Sequence, residues 1–223
     1  MDLHFFDRNT EYTVIERRLP HWVQAGVVCF VTWRTDDSIP ALVLEKWRQE
    51  RRQWLRLHAI NPISQNWRQQ LQLLDIEAQT EFYQHFSQRW HDELDEGHGA
   101  CVLRQRLIAE IVSKSLLHFD QDRYELTDFI VMPNHVHLLA AFPVESAMLE
   151  QCKSWKHFTA HEINRKLDQR GRFWQQDGFD HLVRSEEQFL YFRRYIARNG
   201  IKAALSPTEY LHYSEQSSHH APP

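Results

Sequence analysis

Two histidines one residue apart, His135 and His137, lie in the stretch Met132-Pro133-Asn134-His135-Val136-His137-Leu138-Leu139. Side chains alternate across a β-strand, so both imidazoles project from one face and Val136 points the other way, into a core. Neighbouring imidazoles on a rigid strand can clamp a divalent cation from one side. Two ligands leave coordination positions open. Metal-assisted phosphoryl transfer needs such an open site, because the metal must also reach the substrate phosphate. A bare His-x-His is more often two surface histidines on an edge strand, and its context decides between the readings.

The elements that must position these residues follow from periodicity and breakers. Val27 to Trp33 is a β-branched and aromatic run, read as a buried strand. Ser38-Ile39-Pro40 signals a helix start, and Ala41 to His58 follows as a helix that Asn61-Pro62 breaks. Residues 64–97, rich in Gln, Trp and Leu, are helical again. Arg104 to Phe119 has helical apolar spacing. Tyr124–Val131 and His135–Phe142 form a hairpin around Met132-Pro133-Asn134. Ser146 to Asp168 is a helix, Phe179–Arg184 a short strand, and Glu186–Asn199 a helix stopped by Gly200.

With 41–100 set aside as a helical insertion, the order is that of an α+β, ferredoxin-like βαββαβ antiparallel sheet plus one C-terminal helix. The expected organisation is one domain over 1–223, with that insertion and a flexible tail over 206–223. Residues 1–25 show no clear period.

A hydrophobic share of 42% can fill a core, and 25% charged residues favour a soluble protein. No apolar run approaches a membrane span. The start, Met-Asp-Leu-His-Phe-Phe-Asp-Arg, lacks a basic segment followed by an apolar one, so the expectation is a cytoplasmic protein without a membrane partner. Cys29, Cys101 and Cys152 form no CxxC pair and are expected as reduced thiols. The net charge of −4 is unevenly spread: residues 151–203 hold 11 Lys and Arg against 6 Asp and Glu. That local excess of +5 permits a phosphate-binding face.

With these segments placed, the histidine motif becomes specific. Met132 to Leu139 resembles the histidine–hydrophobe–histidine motif of single-tyrosine, single-strand DNA transposases. More narrowly, it is similar to the REP-associated tyrosine transposases, relatives of the insertion-sequence-200-like family. Val28-Cys29-Phe30-Val31-Thr32-Trp33-Arg34 resembles their first strand, and Ser154-Trp155-Lys156-His157-Phe158-Thr159-Ala160 the helix after the histidines. Phe173-Trp174-Gln175-Gln176 with Phe179-Asp180-His181-Leu182-Val183-Arg184 resembles the segment before the catalytic helix. Arg194-Tyr195-Ile196-Ala197-Arg198-Asn199 resembles the nucleophile helix itself. The resemblance spans residues 27–205.

It implies Tyr195 as nucleophile, with Tyr191 as a competitor one turn earlier. A phenol with a pKa of about 10 attacks poorly. Attack on a phosphodiester therefore needs a metal to polarise the phosphate or a base to take the proton. Tyr195 and Asn199 are spaced i, i+4 and share a helix face, so the Asn199 amide oxygen becomes a third candidate ligand. Two imidazoles and one carbonyl oxygen suit Mg²⁺ or Mn²⁺. The family continues Asn-Pro-Val-Lys-Ala-Gly where this chain has Asn199-Gly200-Ile201-Lys202-Ala203-Ala204. Proline would stop the helix and set the next turn, whereas Gly200 stops it more loosely.

Lys153, Lys156, Arg184, Arg194 and Arg198, with Arg193, are candidate phosphate contacts. Trp155 and Trp174 stack on bases or fill the core, the core being favoured. His157 and His161 have a spacing that can bind zinc on a helix. The resemblance implies a monomeric or homodimeric enzyme that cleaves and rejoins single-stranded DNA near hairpins of palindromic repeats. It would work through a covalent 5′-phosphotyrosine with Mg²⁺ or Mn²⁺. One alternative is a structured-DNA-binding protein derived from such a transposase that no longer cuts. Another is a metal-dependent hydrolase with a water nucleophile, active without Tyr195.

Overall fold

The structure is a computed structural model that describes residues 3–16, 20–64, 66–144, 146–176 and 178–215. The chain divides into two compact units, 1–36 with 100–223 and 37–99. The first unit opens with β1 (Thr13–Glu16), β2 (Pro20–Val23) and β3 (Val28–Arg34). The second holds α1 (Ala41–Leu57), α2 (Trp67–Gln72) and α3 (Ile76–Asp95). The first then resumes with α4 (Arg106–Leu117), β4 (Glu125–Val131), β5 (His135–Ala141) and α5 (Ala147–Leu167). It ends with β6 (Phe179–Leu182), α6 (Glu186–Lys202) and β7 (Leu211–Ser214). Among the described residues, no helix is long and apolar enough to cross a membrane.

Five strands form one antiparallel sheet in the order β6-β3-β5-β4-β7. Without β7 this is the ferredoxin-like arrangement expected from the βαββαβ order. Every residue of β3 is buried because helices cover both sheet faces. Cys29, Val31, Trp33, Val136, Leu138 and Ala140 join Ile108, Val112 and Leu116 of α4 and Met148, Trp155 and Ile163 of α5. Val28, Phe30, Ile130 and Leu139 join Phe189, Phe192, Tyr195 and Ile196 of α6 on the other face.

Three expectations change. β1 (Thr13–Glu16) pairs antiparallel with β2 (Pro20–Val23), where no period is legible. The segment expected as a flexible tail from Ser206 contains β7, which pairs with β4; only 216–223 lie outside the described residues. Strands of four residues are too short to show alternation. Third, α6 does not stop at Gly200 but runs on to Lys202. Its ending is a Schellman motif: Leu205 N–H bonds Gly200 O at 2.9 Å and Ala204 N–H bonds Ile201 O at 3.0 Å.

The residue in the left-handed position of that motif is Ala204, at φ +53°. Alanine pays for its Cβ there, so Ala204→Gly is expected to raise stability by about 1 kcal/mol in urea unfolding. Gly200 has a different role. It is buried inside the helix, and a Cβ there would come within 2.6 Å of three Tyr210 ring carbons. The glycine lets the Tyr210 ring lie against α6 one residue from Asn199.

An ion pair ties α6 to the sheet. A bulge between Leu126 and Asp128 shifts the β4 register, so Asp128 pairs with Leu139 on the α6 face. Arg193 of α6 donates Nε to Asp128 Oδ2 at 2.8 Å and Nη2 to Asp128 Oδ1 at 3.3 Å and to Ser214 Oγ at 3.0 Å. The carboxylate is 3% exposed. Removing one partner leaves a buried charge uncompensated, so Asp128→Ala is expected to destabilise by about 3 kcal/mol in denaturant unfolding.

The second unit has its own core of Trp54, Leu55, Ile60, Leu71 and Phe82. Trp54 Nε1 donates to Glu81 Oε1 at 3.0 Å, joining α1 to α3. Gly99, at φ +89°, lies so close to Asp37 that a Cβ would meet its carbonyl oxygen at 2.7 Å, which brings the ends of the unit together.

Candidate active site

β5 is an interior strand, not an edge, and both of its histidines are fully buried, each at 0% exposure. Burial on an interior strand removes the reading of two surface imidazoles. Strand alternation puts them on the α6 face, where His137 is opposite Thr32 and His135 opposite Arg34. The imidazole centroids are 4.6 Å apart. His135 Nδ1 lies 2.8 Å from Asn134 Oδ1, and His137 Nδ1 lies 2.7 Å from Thr32 Oγ1. An amide oxygen only accepts, so Nδ1 of His135 carries the proton and Nε2 is the basic nitrogen. The Thr32 hydroxyl can accept from His137 Nδ1 in the same way. Such bonds orient ligand imidazoles and set their tautomers.

α6 begins at Ser185, whose hydroxyl accepts from Gln188 N–H at 3.2 Å, with Glu186 and Glu187 in the first turn. Two turns on, the Tyr195 ring packs edge-on to His137 at 5.2 Å between centroids and to Phe30 at 6.0 Å. Phe30 stacks on Phe192 at 4.3 Å and on His137 at 5.4 Å, which fixes the helix over the histidines. Tyr191 is 57% exposed, with its ring against Phe192. The geometry thus brings Tyr195 to the histidines and turns Tyr191 to solvent.

Asn199, one turn beyond Tyr195, is 1% exposed. Neither its Oδ1 nor its Nδ2 has a hydrogen-bond partner among the described residues. Buried amides are almost always satisfied, and each unmade bond costs about 1–3 kcal/mol. An amide held at that cost on the face of Tyr195 fits a ligand position. Among the described residues no trio of His, Cys, Asp and Glu converges. Two imidazoles and one amide oxygen are a donor set that fits Mg²⁺ or Mn²⁺.

The candidate phosphate contacts fall into two groups. Lys153 and Lys156 belong to α5, Arg194 and Arg198 to α6, and the sheet separates these helices. Lys153, Arg184, Arg194 and Arg198 are exposed. Lys156 donates to the backbone oxygens of Gln175 at 3.4 Å and Gln176 at 2.6 Å, holding the loop before β6. Arg193 is engaged by Asp128. Trp155 and Trp174 are core residues, bonded through Nε1 to Tyr124 Oη at 3.3 Å and Thr159 Oγ1 at 2.8 Å. His157 and His161 lie on the exposed side of α5. The three cysteines are free, and burial pushes the Cys152 thiol up to about 12.

Sequence reasoning gave no role to Asn134, Thr32, Phe30 or His181. Asn134 stands inside the motif and could have been read as a partner of its neighbour. Thr32 and Phe30 are recognisable only once β3 is in register with β5. His181 is opposite Phe30, and its ring is 5.6 Å from Phe192. Burial first, then the Arg184 charge, lowers its pKa from the ordinary histidine value.

Residues 102–199 match the family model described as transposase IS200 like. The match runs through both histidines and Tyr195 and ends on Asn199. Over that segment the chain is similar to the IS200-like transposases. The matched segment leaves out β3, although β3 supplies the hydroxyl that orients His137. A solved structure described as that of the REP associates tyrosine transposase bound to a REP hairpin is 15% identical, at a TM-score of 0.41. The comparison covers 86% of this chain and 76% of that one. No curated protein matches the chain.

Proposed function

We propose that this protein is an IS200-like transposase that cleaves and rejoins single-stranded DNA beside a hairpin, through a covalent bond to Tyr195. The observation that carries the reading is the buried Asn199 amide, without a hydrogen-bond partner among the described residues, on the helix face of a tyrosine packed against His137. When bound, Mg²⁺ or Mn²⁺ supplies Lewis-acid polarisation of the scissile phosphate. His135 and His137 would hold it through Nε2 and Asn199 through Oδ1, and three neutral ligands would leave both charges of the ion for the phosphate.

Tyr195 Oη attacks phosphorus, and the bond from phosphorus to the 3′ oxygen breaks. The phenol loses its proton and the departing oxygen gains one. The products are a 5′-phosphotyrosine and a free 3′-OH. Attack by a 3′-OH on the phosphotyrosine reverses these steps, rejoins DNA and restores the phenol. The tyrosine and the His137 ring it packs against belong to one chain, which supports a site formed without a partner.

The test incubates the protein and Mn²⁺ with end-labelled single-stranded DNAs carrying palindromic hairpins. The expected result is a protein–DNA adduct that survives denaturing electrophoresis. Binding without any adduct across many hairpins would favour the non-cutting reading instead. Thr32→Val, which keeps the shape and removes the bond to His137, is expected to weaken Mn²⁺ binding about 10- to 100-fold in an electron-paramagnetic-resonance titration.

A further inference from the structure

We propose that the helical unit 37–99 is a second DNA contact, gripping the backbone of a hairpin stem through the exposed face of α1. The identity of the ligand rests on the DNA-cleaving reading above. The charges of the unit are segregated between its helices. α1 carries Lys46, Arg48, Arg51, Arg52 and Arg56 against Glu45 and Glu50. Over residues 76–86, α3 carries Glu77 and Glu81 and no Lys or Arg. Random surface solvation would mix these signs, whereas a polyanion-binding helix keeps them apart.

Position on α1 narrows the set. Trp54 and Leu55 face the core of the unit. Arg48 is paired with Glu45 at 3.3 Å, and Arg51 lies over the Trp67 ring at 5.5 Å. Lys46, Arg52 and Arg56 are exposed, with Gln49 and Gln53 between them, and no carboxylate pairs with these three among the described residues. Lys46 and Arg56 are ten residues apart, about 15 Å along a helix. Phosphates on one strand of a duplex advance about 3.4 Å each along its axis, so the row spans about four of them.

The test uses the full chain and a fluorescein-labelled hairpin with a long stem, with affinity measured by anisotropy from low to high salt. Each lost phosphate contact lowers the slope of log affinity against log salt by about 0.9. Lys46→Gln/Arg52→Gln/Arg56→Gln is expected to lower it by about 2 to 3 and to weaken binding at least about tenfold near 0.1 M salt. Arg106→Gln/Lys114→Gln on α4, whose cations are already paired with Glu110, is expected to leave the slope unchanged. An unchanged slope in the triple variant, or an equal fall in the α4 control, overturns the proposal. Adduct formation on a saturating short hairpin is expected to match that of the unsubstituted protein. Absence of adduct in the unsubstituted protein with a reduced slope in the triple variant would sink the cleavage reading and leave this contact standing.

Discussion

Tyr195→Phe is expected to lower covalent adduct formation by more than about 10⁴-fold while leaving DNA binding nearly unchanged. The substitution removes one oxygen from a ring that stays packed against His137 and Phe30, so the fold should persist. Loss of a nucleophile has no substitute among neutral groups nearby. Tyr191→Phe is the matching control. Tyr191 is exposed, and its substitution should leave adduct formation within about twofold, as for surface positions in general. Strand cleavage that continues at full rate in Tyr195→Phe would point to a water nucleophile.

The second large effect separates stability from activity at one residue. Asn199→Ala is expected to raise the stability of the metal-free protein by about 1 kcal/mol, because it removes two buried polar atoms that have no hydrogen-bond partner among the described residues. A small cavity offsets part of that gain. The same change should lower cleavage about 100-fold, the order expected when a group stabilising transition-state charge is lost. It should also reduce the rise in melting temperature on adding Mn²⁺, since a ligand stabilises only in proportion to its affinity for the folded state. Reduced stability without metal, together with an unchanged response to Mn²⁺, would show that Asn199 is a structural residue.

Much of this site was legible because its residues obey local periodicities. His135 and His137 are two apart on a strand, so they share a face wherever that strand lies. Tyr195 and Asn199 are four apart on a helix and share a face for the same reason. The long amphipathic α4 and the buried run of β3 declare themselves over many residues. Whatever depends on contacts distant in sequence was hidden. Thr32 orients His137 only through the β3–β5 register. The bulge at Thr127 that turns Asp128 toward Arg193 leaves no local signature. Gly200 reads as a helix stop, yet its reason is the Tyr210 ring packed against it from the next turn of chain. The basic candidates illustrate the same limit. Lys153 and Arg194 look like one patch in the sequence, but α5 and α6 cover opposite sheet faces.

The central claim is that one helix brings the nucleophile to a histidine pair in the same chain. Mass spectrometry of the proteolysed protein–DNA adduct tests it most directly. The account predicts a nucleotide phosphate on the peptide that contains Tyr195, attached through the phenol as a 5′-phosphate, and formed in protein shown to be monomeric by sedimentation. A nucleotide on Tyr191, or cleaved DNA with a free 5′-phosphate and no modified peptide, would contradict it.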